Sequence, residues 1–159
     1  MNYTYCPQCC CGLVKKEIDG KDRVSCINAE CDFVLWNNPV PVVAAIIEHE
    51  DKILFARNSA WEEDKFALIA GYLEEGETPE TAIIREIKEE INLDGEIVSF
   101  CGHYNFKQKN QLLIIFHVKA TGAVKLSPEI AEVKHFTKDQ ITPWDIGTGP
   151  AVADWLKKN

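Results

Sequence analysis

The sequence contains no apolar run long enough to cross a lipid bilayer. Its longest runs, Val42–Ile47 and Leu112–Phe116, are far shorter than the roughly 20 residues that a membrane-spanning helix needs. The opening residues, MNYTYCPQCC, also lack the charged start and apolar centre of a secretory signal. We therefore expect no membrane partner and a cytoplasmic location, in which thiols stay reduced.

Basic residues are also scarce, since 17 Lys and Arg stand against 25 Asp and Glu and the net charge is −8. Because nucleic-acid backbones are bound mainly through Lys and Arg, this balance argues against a nucleic-acid partner. It does not argue against a small anionic ligand held through a metal ion. The chain has no internal repeat or low-complexity segment, and 159 residues predict one domain with a small appendage.

Cysteine is almost absent after residue 31 but abundant before it, with six of the seven cysteines in this first segment. Two residues separate Cys6 from Cys9, and four separate Cys26 from Cys31. Such paired thiolates are typical of a structural zinc site with four cysteine ligands, and bound metal would supply the folding energy of so small a segment. We predict a zinc ribbon over residues 1–36 and a second domain over residues 37–159.

Other interpretations of these cysteines stay open. Cys10 and Cys11 offer alternative ligands, and the second pair has a longer gap than the usual two residues. A redox-active thiol cluster and a ribbon that no longer binds metal are the alternatives. Cys101 stands alone in an apolar stretch and is expected to lie in the core.

From residue 40 onward, apolar runs alternate with polar connectors, and one long helical pattern interrupts them. Thr78 is a good N-cap, Pro79 suits the first helical position, and Asn92 tolerates the left-handed conformation that ends a helix. Isoleucines at helical spacing, Ile83 to Ile91, predict its buried face. The interleaving of strands and helices predicts an α/β fold with a mixed sheet. We expect strands over 41–48, 52–57, 66–71, 96–106, 112–120 and 132–137, and a closing helix over 150–158.

The same helix carries Glu86, Glu89 and Glu90 at a spacing of i, i+3 and i+4, which places the three carboxylates about 5–6 Å apart on one face. Most glutamate-rich helices are simply solvated. Carboxylates gathered in this way also suit Mg²⁺ or Mn²⁺, which prefer hard oxygen ligands. Gly71 ends the preceding strand and exposes a backbone carbonyl that is a candidate fourth ligand.

The full pattern from Gly71 to Leu93 resembles the Nudix box, which is Gly, five residues, Glu, seven residues, Arg-Glu, an aliphatic residue, any residue, Glu-Glu, any residue, Gly and an aliphatic residue. Here Glu77 holds the first glutamate position and REIKEEINL, from Arg85, holds the rest, with Asn92 in place of the last glycine. The resemblance covers residues 40–158. It implies a Nudix-type α/β/α sandwich with a mixed sheet, preceded by the zinc ribbon.

The Nudix resemblance also implies the chemistry: Mg²⁺-dependent hydrolysis of a nucleoside diphosphate linked to another group, with a small-molecule nucleotide as substrate. By position, Glu86, Glu89 and Glu90 are similar to the family's metal ligands, and Glu86 is similar to the general base of some subfamilies. The carbonyl of Gly71 is similar to a backbone ligand. Glu77 and Arg85 are similar to the pair that fixes the helix against the preceding loop.

A further carboxylate from outside the helix is expected to act as a metal ligand or base. Glu129 and Glu132 occupy the region where many Nudix proteins supply one, and we prefer Glu132.

The substrate is less well defined by the sequence. The ribbon followed by the box resembles the NADH pyrophosphatase and ADP-ribose pyrophosphatase branches, but the Ser-Gln-Pro-Trp-Pro-Phe-Pro stretch of the NADH branch is absent, which leaves NADH, FAD and ADP-ribose open. Residues able to stack on or hydrogen-bond a nucleotide are Tyr72, Tyr104, Phe106 and Gln111.

Two other functions stay open: a nucleoside triphosphate pyrophosphohydrolase that uses the same box, and a catalytically silent module that senses nucleotides or binds nucleic acid. A homodimer also stays open, with the ribbon and the first strand of the second domain as interface elements. The histidines at positions 49, 117 and 135 have no partner that the sequence identifies and are expected to be structural.

Overall fold

The computed structural model describes residues 3–159 of the chain. The chain divides into two compact units, Met1–Asn38 and Pro39–Asn159. Among residues 3–159, no helix has both the length and the apolar character that crossing a membrane requires.

The smaller unit is a three-stranded antiparallel sheet in the order β1-β2-β3. Asp19 and Gly20 connect the first two strands with φ of 53° and 71°, as a two-residue hairpin turn requires. Of residues 3–38, Cys6 and Ser25 are the buried ones, so the sheet has almost no apolar core. The strands are β1 (Leu13–Ile18), β2 (Lys21–Cys26) and β3 (Val34–Leu35).

The larger unit has one mixed sheet of six strands, in which β7, β8, β4, β5 and β9 follow one another and β6 pairs with β4. β4 and β8 are parallel, and the other neighbours are antiparallel. Residues 42–47 of β4 are apolar and buried, as expected of a strand that is covered on both faces of the sheet. The strands are β4 (Val40–His49), β5 (Lys52–Asn58), β6 (Ile69–Tyr72), β7 (Asp94–Phe106), β8 (Gln111–Thr121) and β9 (Ile130–Phe136).

One helix packs on each face of this sheet, which confirms the expected α/β/α sandwich. Helix α1 (Pro79–Ile91) buries its isoleucines against alternate residues of the strands, among them Val43 and Phe116. Helix α2 (Gly149–Leu156) covers the opposite face, where Trp155 packs with residues such as Ile46. Because side chains alternate along a strand, each central strand contributes to both cores.

Helix α1 begins and ends as predicted. Thr78 is its N-cap, accepts a hydrogen bond from the Thr81 backbone N–H, and completes a reciprocal capping box with Thr81. Asn92 ends the helix in the left-handed conformation at φ 61°. The two caps therefore fix where the helix begins and ends, and so fix the positions of Glu86, Glu89 and Glu90 on one face, called here the glutamate face.

One predicted strand is wrong at its start. The apolar run 66–71 predicted a strand from Phe66, but β6 begins at Ile69. Phe66 instead lies under the ammonium group of Lys134 at 4.2 Å, and Ala67 makes one isolated bridge to Ala56 of β5. The chain changes its pairing partner from β5 to β4 within this run, and a continuous strand is not possible.

Candidate functional site

The glutamate face of α1 lies against the edge formed by β6. Gly71 pairs with Val43 of β4, and the Glu86 carboxylate rests so closely over the Cα of Gly71 that a Cβ there would overlap it. The Glu86 side chain is 13% exposed. Only a bare Cα at position 71 leaves space for this carboxylate in its observed position.

The guanidinium group of Arg85 connects the parts of the site through hydrogen bonds. Its Nε and Nη2 donate to the two carboxylate oxygens of Glu77 at 2.7 and 2.9 Å, which is the two-pronged geometry that guanidinium and carboxylate groups favour. Its Nη1 donates to Glu86 at 2.9 Å and to Glu89 at 3.1 Å. Its Nη2 also donates to the carbonyl oxygen of Tyr72 at 3.2 Å. One guanidinium therefore ties the loop, the strand and the helix in one arrangement.

The loop side of this network is fixed as well. Glu77 accepts a hydrogen bond from the Glu74 backbone N–H, and the bonds from Arg85 hold the pKa of Glu77 below its ordinary value. The charge and hydrogen bonds of its partners, Glu77 first, raise the pKa of Arg85. The pair thus connects helix α1 to the loop that precedes it.

Negative charge is concentrated on the buried side of the glutamate face. Burial first, and then the charges of Glu86, Glu129 and Glu89, raise the pKa of Glu90 to about 7. Burial also raises the pKa of Glu86, against the opposing effect of Arg85. No ion pair of Glu90 occurs within residues 3–159. The site consequently has more anionic groups than its own cations neutralise.

The two carboxylates proposed from outside the helix lie in different surroundings. The segment before β9 is held against the end of α1, where Ser127 donates its backbone N–H to the carbonyl oxygen of Glu90 at 2.9 Å. This contact brings Glu129 close enough for its charge to raise the pKa of Glu90. Glu132 instead pairs with Arg57 at 3.6 Å and Lys134 at 3.5 Å. Of these two carboxylates, Glu129 is therefore the one whose charge acts on Glu90, whereas the sequence analysis preferred Glu132.

The four residues proposed to contact a nucleotide share one face of the sheet. Pairing across β6, β4, β8 and β7 places Tyr72 and Tyr104 in one cross-strand row, and Gln111 and Phe106 in the next. Tyr72 is 60% exposed, and its hydroxyl accepts a hydrogen bond from Gln111 at 3.3 Å. Tyr104 is half-buried, and its hydroxyl donates to Asp154 of α2 at 3.2 Å. Tyr72, to which Gln111 is hydrogen-bonded, is thus the most exposed of the four.

In the smaller unit, the four cysteines expected as zinc ligands come together. One ligand atom from each of Cys6, Cys9, Cys26 and Cys31 lies within 4.8 Å of the others. The Sγ atoms of Cys6 and Cys31 are 3.7 Å apart, and those of Cys9 and Cys26 are 3.4 Å apart. Sulfur atoms around a tetrahedral zinc lie roughly 3.8 Å from one another, so this geometry fits the ion closely.

The adjacent Cys10 and Cys11 are not among the four residues that gather within this distance, although the thiol of Cys11 lies within hydrogen-bond reach of Cys9. Cys10 is exposed with a left-handed φ of 60°, and Cys11 contributes its backbone carbonyl, which accepts from the Cys6 N–H at 2.8 Å. All seven cysteines are free thiols. Cys101 is half-buried against the core beneath α2, where burial raises the pKa of its thiol.

Sequence reasoning missed one pair of side chains. His49 Nδ1 and His135 Nε2 are 2.9 Å apart, although 86 positions separate them along the chain. No local pattern connects two residues at such a distance, and the sequence carried no signal for this contact.

The NUDIX domain family model matches residues 38–155. The curated NAD-capped RNA hydrolase NudC of Mycobacterium tuberculosis is 32% identical over 117 residues, which cover 72% of this chain and 36% of that protein. The NudC of Pseudomonas fluorescens is 24% identical over 143 residues, 89% of this chain and 50% of that protein. The chain therefore spans half or less of the length of these relatives.

Solved structures agree on the fold. A Nudix hydrolase from Nitrosomonas europaea has a TM-score of 0.76 and 26% identity, over 87% of this chain and 80% of that one. An ADP-ribose pyrophosphatase from Streptococcus suis has a TM-score of 0.63 and 20% identity, over 76% of this chain and 92% of that one. With the family model covering most of the chain and the glutamate helix in place, the chain belongs to the Nudix hydrolase family.

Proposed function

We propose that this protein hydrolyses the pyrophosphate of a nucleoside diphosphate linked to another moiety, with Mg²⁺ or Mn²⁺ bound by the glutamate face of α1. The observation that carries the proposal is the partly buried carboxylate group of Glu86 and Glu90, whose repulsion a cation would relieve. A solvated face would not raise the pKa of Glu90 to about 7, because water would screen its neighbours.

The donor set fits such an ion. Glu86, Glu89 and Glu90 offer carboxylate oxygens, and Gly71 lies in direct contact with Glu86 and adds a backbone oxygen to the candidates. Hard oxygen ligands of this kind are what Mg²⁺ prefers. When bound, such an ion neutralises the diphosphate and lowers the pKa of an attacking water.

The residues around the glutamate face have separate roles, namely positioning of the carboxylates and uptake of a proton. Arg85 and Glu77 keep the helix, the loop and β6 in register, so that the carboxylates keep their relative positions. We assign uptake of the proton from the attacking water to Glu129, because its charge already acts on Glu90 while Glu132 is engaged with Arg57.

An accessible pair of side chains near the edge strand β6 supports a nucleotide as the substrate. Tyr72 follows Gly71 on β6, so its ring points to the face of the sheet opposite the one that Glu86 contacts. A base that stacks on Tyr72 and hydrogen-bonds Gln111 would extend its phosphates around the edge at β6 to reach the glutamates. A dinucleotide such as NADH or FAD, and ADP-ribose, have the required base and diphosphate.

A substrate panel tests the proposal. The protein would be incubated with Mg²⁺ or Mn²⁺ and with NADH, NAD⁺, FAD, ADP-ribose, diadenosine polyphosphates and nucleoside triphosphates, and the products would be separated. Cleavage into two phosphorylated fragments supports it. Release of pyrophosphate or phosphate from triphosphates supports the rival pyrophosphohydrolase, and binding without turnover supports a sensing module. Glu90→Gln should lose the turnover, and its control Glu80→Gln, which removes an exposed charge from the first turn of the same helix, should keep it.

A second candidate substrate comes from the curated relatives, which are NAD-capped RNA hydrolases. An NAD-capped oligonucleotide therefore belongs in the panel beside free NAD⁺. If the RNA is recognised, its turnover should exceed that of NAD⁺ and decrease steeply with salt, since backbone contacts release counterions. The net charge of −8 favours the free nucleotide.

The second part of the proposal concerns the smaller unit, whose four thiols suit a structural Zn²⁺. Thiolates complete the tetrahedral shell of zinc and leave no position for a substrate. The backbone N–H of Cys11, followed by the thiol of Cys26, lowers the pKa of Cys9 to about 6, so one ligand ionises readily. Metal analysis of purified protein should give one zinc per chain.

A further inference from the structure

A second group of metal-binding side chains lies near the end of β4, away from the glutamates. His49 ends β4, Glu50 follows in the turn to β5, and His135 lies on β9. One ligand atom from each of the three lies within 4.8 Å of the others. His49 is six residues beyond Val43, the partner of Gly71, which corresponds to about 20 Å of extended strand. The group is therefore separate from the glutamate site.

Hydrogen bonds define which nitrogens of these histidines carry protons. His49 Nε2 is 3.1 Å from the carbonyl oxygen of Gly122, which can only accept, so this nitrogen carries a proton. In the neutral ring, His49 Nδ1 then presents a lone pair, and His135 Nε2 donates to it at 2.9 Å. A backbone carbonyl that accepts from the far nitrogen is the usual support for a histidine that binds metal through the near one.

Both rings are also shielded from water. His49 is 5% exposed, and His135 is half-buried. A neutral His135 can carry its proton on Nδ1 instead of Nε2, and Nε2 then becomes available to a metal without loss of a proton to solvent.

The turn beside the histidines has an uncommon composition. Glu50 and Asp51 both adopt left-handed backbone conformations, with φ of 53° and 58°. Asn and Gly normally occupy such two-residue hairpin turns. Here the turn instead presents the Glu50 carboxylate beside two imidazoles. Together with Gly122, His49 and Glu50 line a cleft of about 310 Å³ through which an ion could enter.

The geometry points to a transition-metal site formed by His49, His135 and Glu50, which takes an ion of the Zn²⁺, Ni²⁺ or Cu²⁺ class. Two imidazoles and one carboxylate suit these ions better than Mg²⁺. Ligand nitrogens around a tetrahedral zinc lie roughly 3.4 Å apart. On binding, the distance between His49 Nδ1 and His135 Nε2 would increase slightly from 2.9 Å, and the exposed Glu50 carboxylate would move toward them. The bound ion joins β4 to β9 across β5, which lies between them.

Calorimetric titration with Zn²⁺ tests this site in the full chain, after the cysteine cluster has been loaded with zinc and with excess Mg²⁺ present to occupy the glutamates. We expect one further equivalent of zinc with micromolar affinity. His135→Gln should weaken it at least tenfold, and Glu50→Gln severalfold. His103→Gln, which removes an exposed histidine outside the group, should leave the affinity unchanged.

Imidazole ¹⁵N spectra of the unaltered protein provide a readout that does not depend on how a variant folds. Zinc should shift the ring nitrogens of His49 and His135 and leave those of His103 unchanged. Absence of a further equivalent, equal binding by His135→Gln, or shifts confined to His103 would overturn the site. Because the site is separate from the glutamates, none of these results depends on whether the protein is a hydrolase.

Discussion

The Met1–Asn38 unit and the Pro39–Asn159 unit both gather like groups, four thiols in one and several carboxylates in the other. In the smaller unit, Cys6 and Ser25 are the buried residues among those described, 3–38. In the larger unit, the carboxylates lie on a helix whose other face is completely buried through Ile83 and its neighbours. Repulsion in the larger unit is therefore offset by a hydrophobic core, whereas the smaller unit has almost no core and, under our proposal, depends on bound zinc.

The largest effect should follow loss of the zinc ligands. Cys26→Ser, or removal of zinc by a strong chelator, should unfold the smaller unit completely, because a structural zinc contributes on the order of 10–16 kcal/mol to such a fold. Hydrogen exchange of the β1 and β2 amides should become fast, while the sheet of the larger unit keeps its protection. Cys10→Ser is the matched control, since Cys10 lies outside the cluster. Slow exchange in a zinc-free smaller unit would show that this unit folds without zinc and would contradict the contrast between the two units.

Removal of a carboxylate from the larger unit should reduce activity but leave the fold intact, in contrast to removal of a zinc ligand. Glu90→Gln should reduce turnover at least about 100-fold, because loss even of groups that only support a metal ligand costs 10- to 100-fold. Its fold should survive, since the isoleucine face of α1 is unchanged. Steady-state assays and thermal melts of the same preparations measure both effects. Unfolding of Glu90→Gln would show that the carboxylates are needed for the fold of the larger unit and would contradict the contrast between the two units.

The pH dependence of metal-free stability sharpens this prediction. The pKa of Glu90 is about 7 in the folded state against an ordinary value of 4.5, so the folded state holds this proton more tightly. Stability is therefore greater below pH 4.5 and decreases as pH rises to about 7, by about 1–2 kcal/mol after allowance for solvent screening. Glu90→Gln should melt at a higher temperature than the unaltered protein at pH 8. Equal melting temperatures there would contradict the placement of Glu90.

A smaller effect is expected from Gly71→Ala. The new Cβ would displace the tip of the Glu86 side chain but no backbone, so turnover should decrease about tenfold with little change in melting temperature. In a Glu86→Gln background the same substitution should have a much weaker effect, because the two changes act on one contact. Additive effects in this double-mutant cycle would show that Gly71 acts in another way.

The smallest effect should come from Arg85→Lys. Lysine keeps the charge but loses the two-pronged contact with Glu77, and we expect a loss of about 1 kcal/mol in stability. The pKa of Glu77 is lowered in the folded state, so this pair stabilises the protein above the ordinary pKa of Glu77 and the contribution disappears as pH decreases. Denaturant unfolding over a range of pH should therefore separate the two proteins most at pH 7, and the difference should shrink as pH decreases below the ordinary pKa of Glu77.

Much of the local structure could be predicted from the sequence because its causes are local. The capping residues Thr78 and Asn92 and the isoleucine spacing depend on neighbours within one or two helical turns. The glutamate spacing depends on the same geometry. The start of β6 could not be predicted in this way, because Phe66 and Ala67 are drawn to partners on β9 and β5.

By itself, the sequence determined the helix that presents the glutamates, the family to which the pattern belongs, and the two cysteine pairs. Each depends on short spacings that the chain imposes directly, whereas the hairpin of the smaller unit brings the two pairs together. The tertiary structure alone decided that Glu129 acts on Glu90, that Glu86 rests on Gly71, and that His49 meets His135. These contacts join residues far apart in the chain, and they exist because strand order and packing bring those segments together.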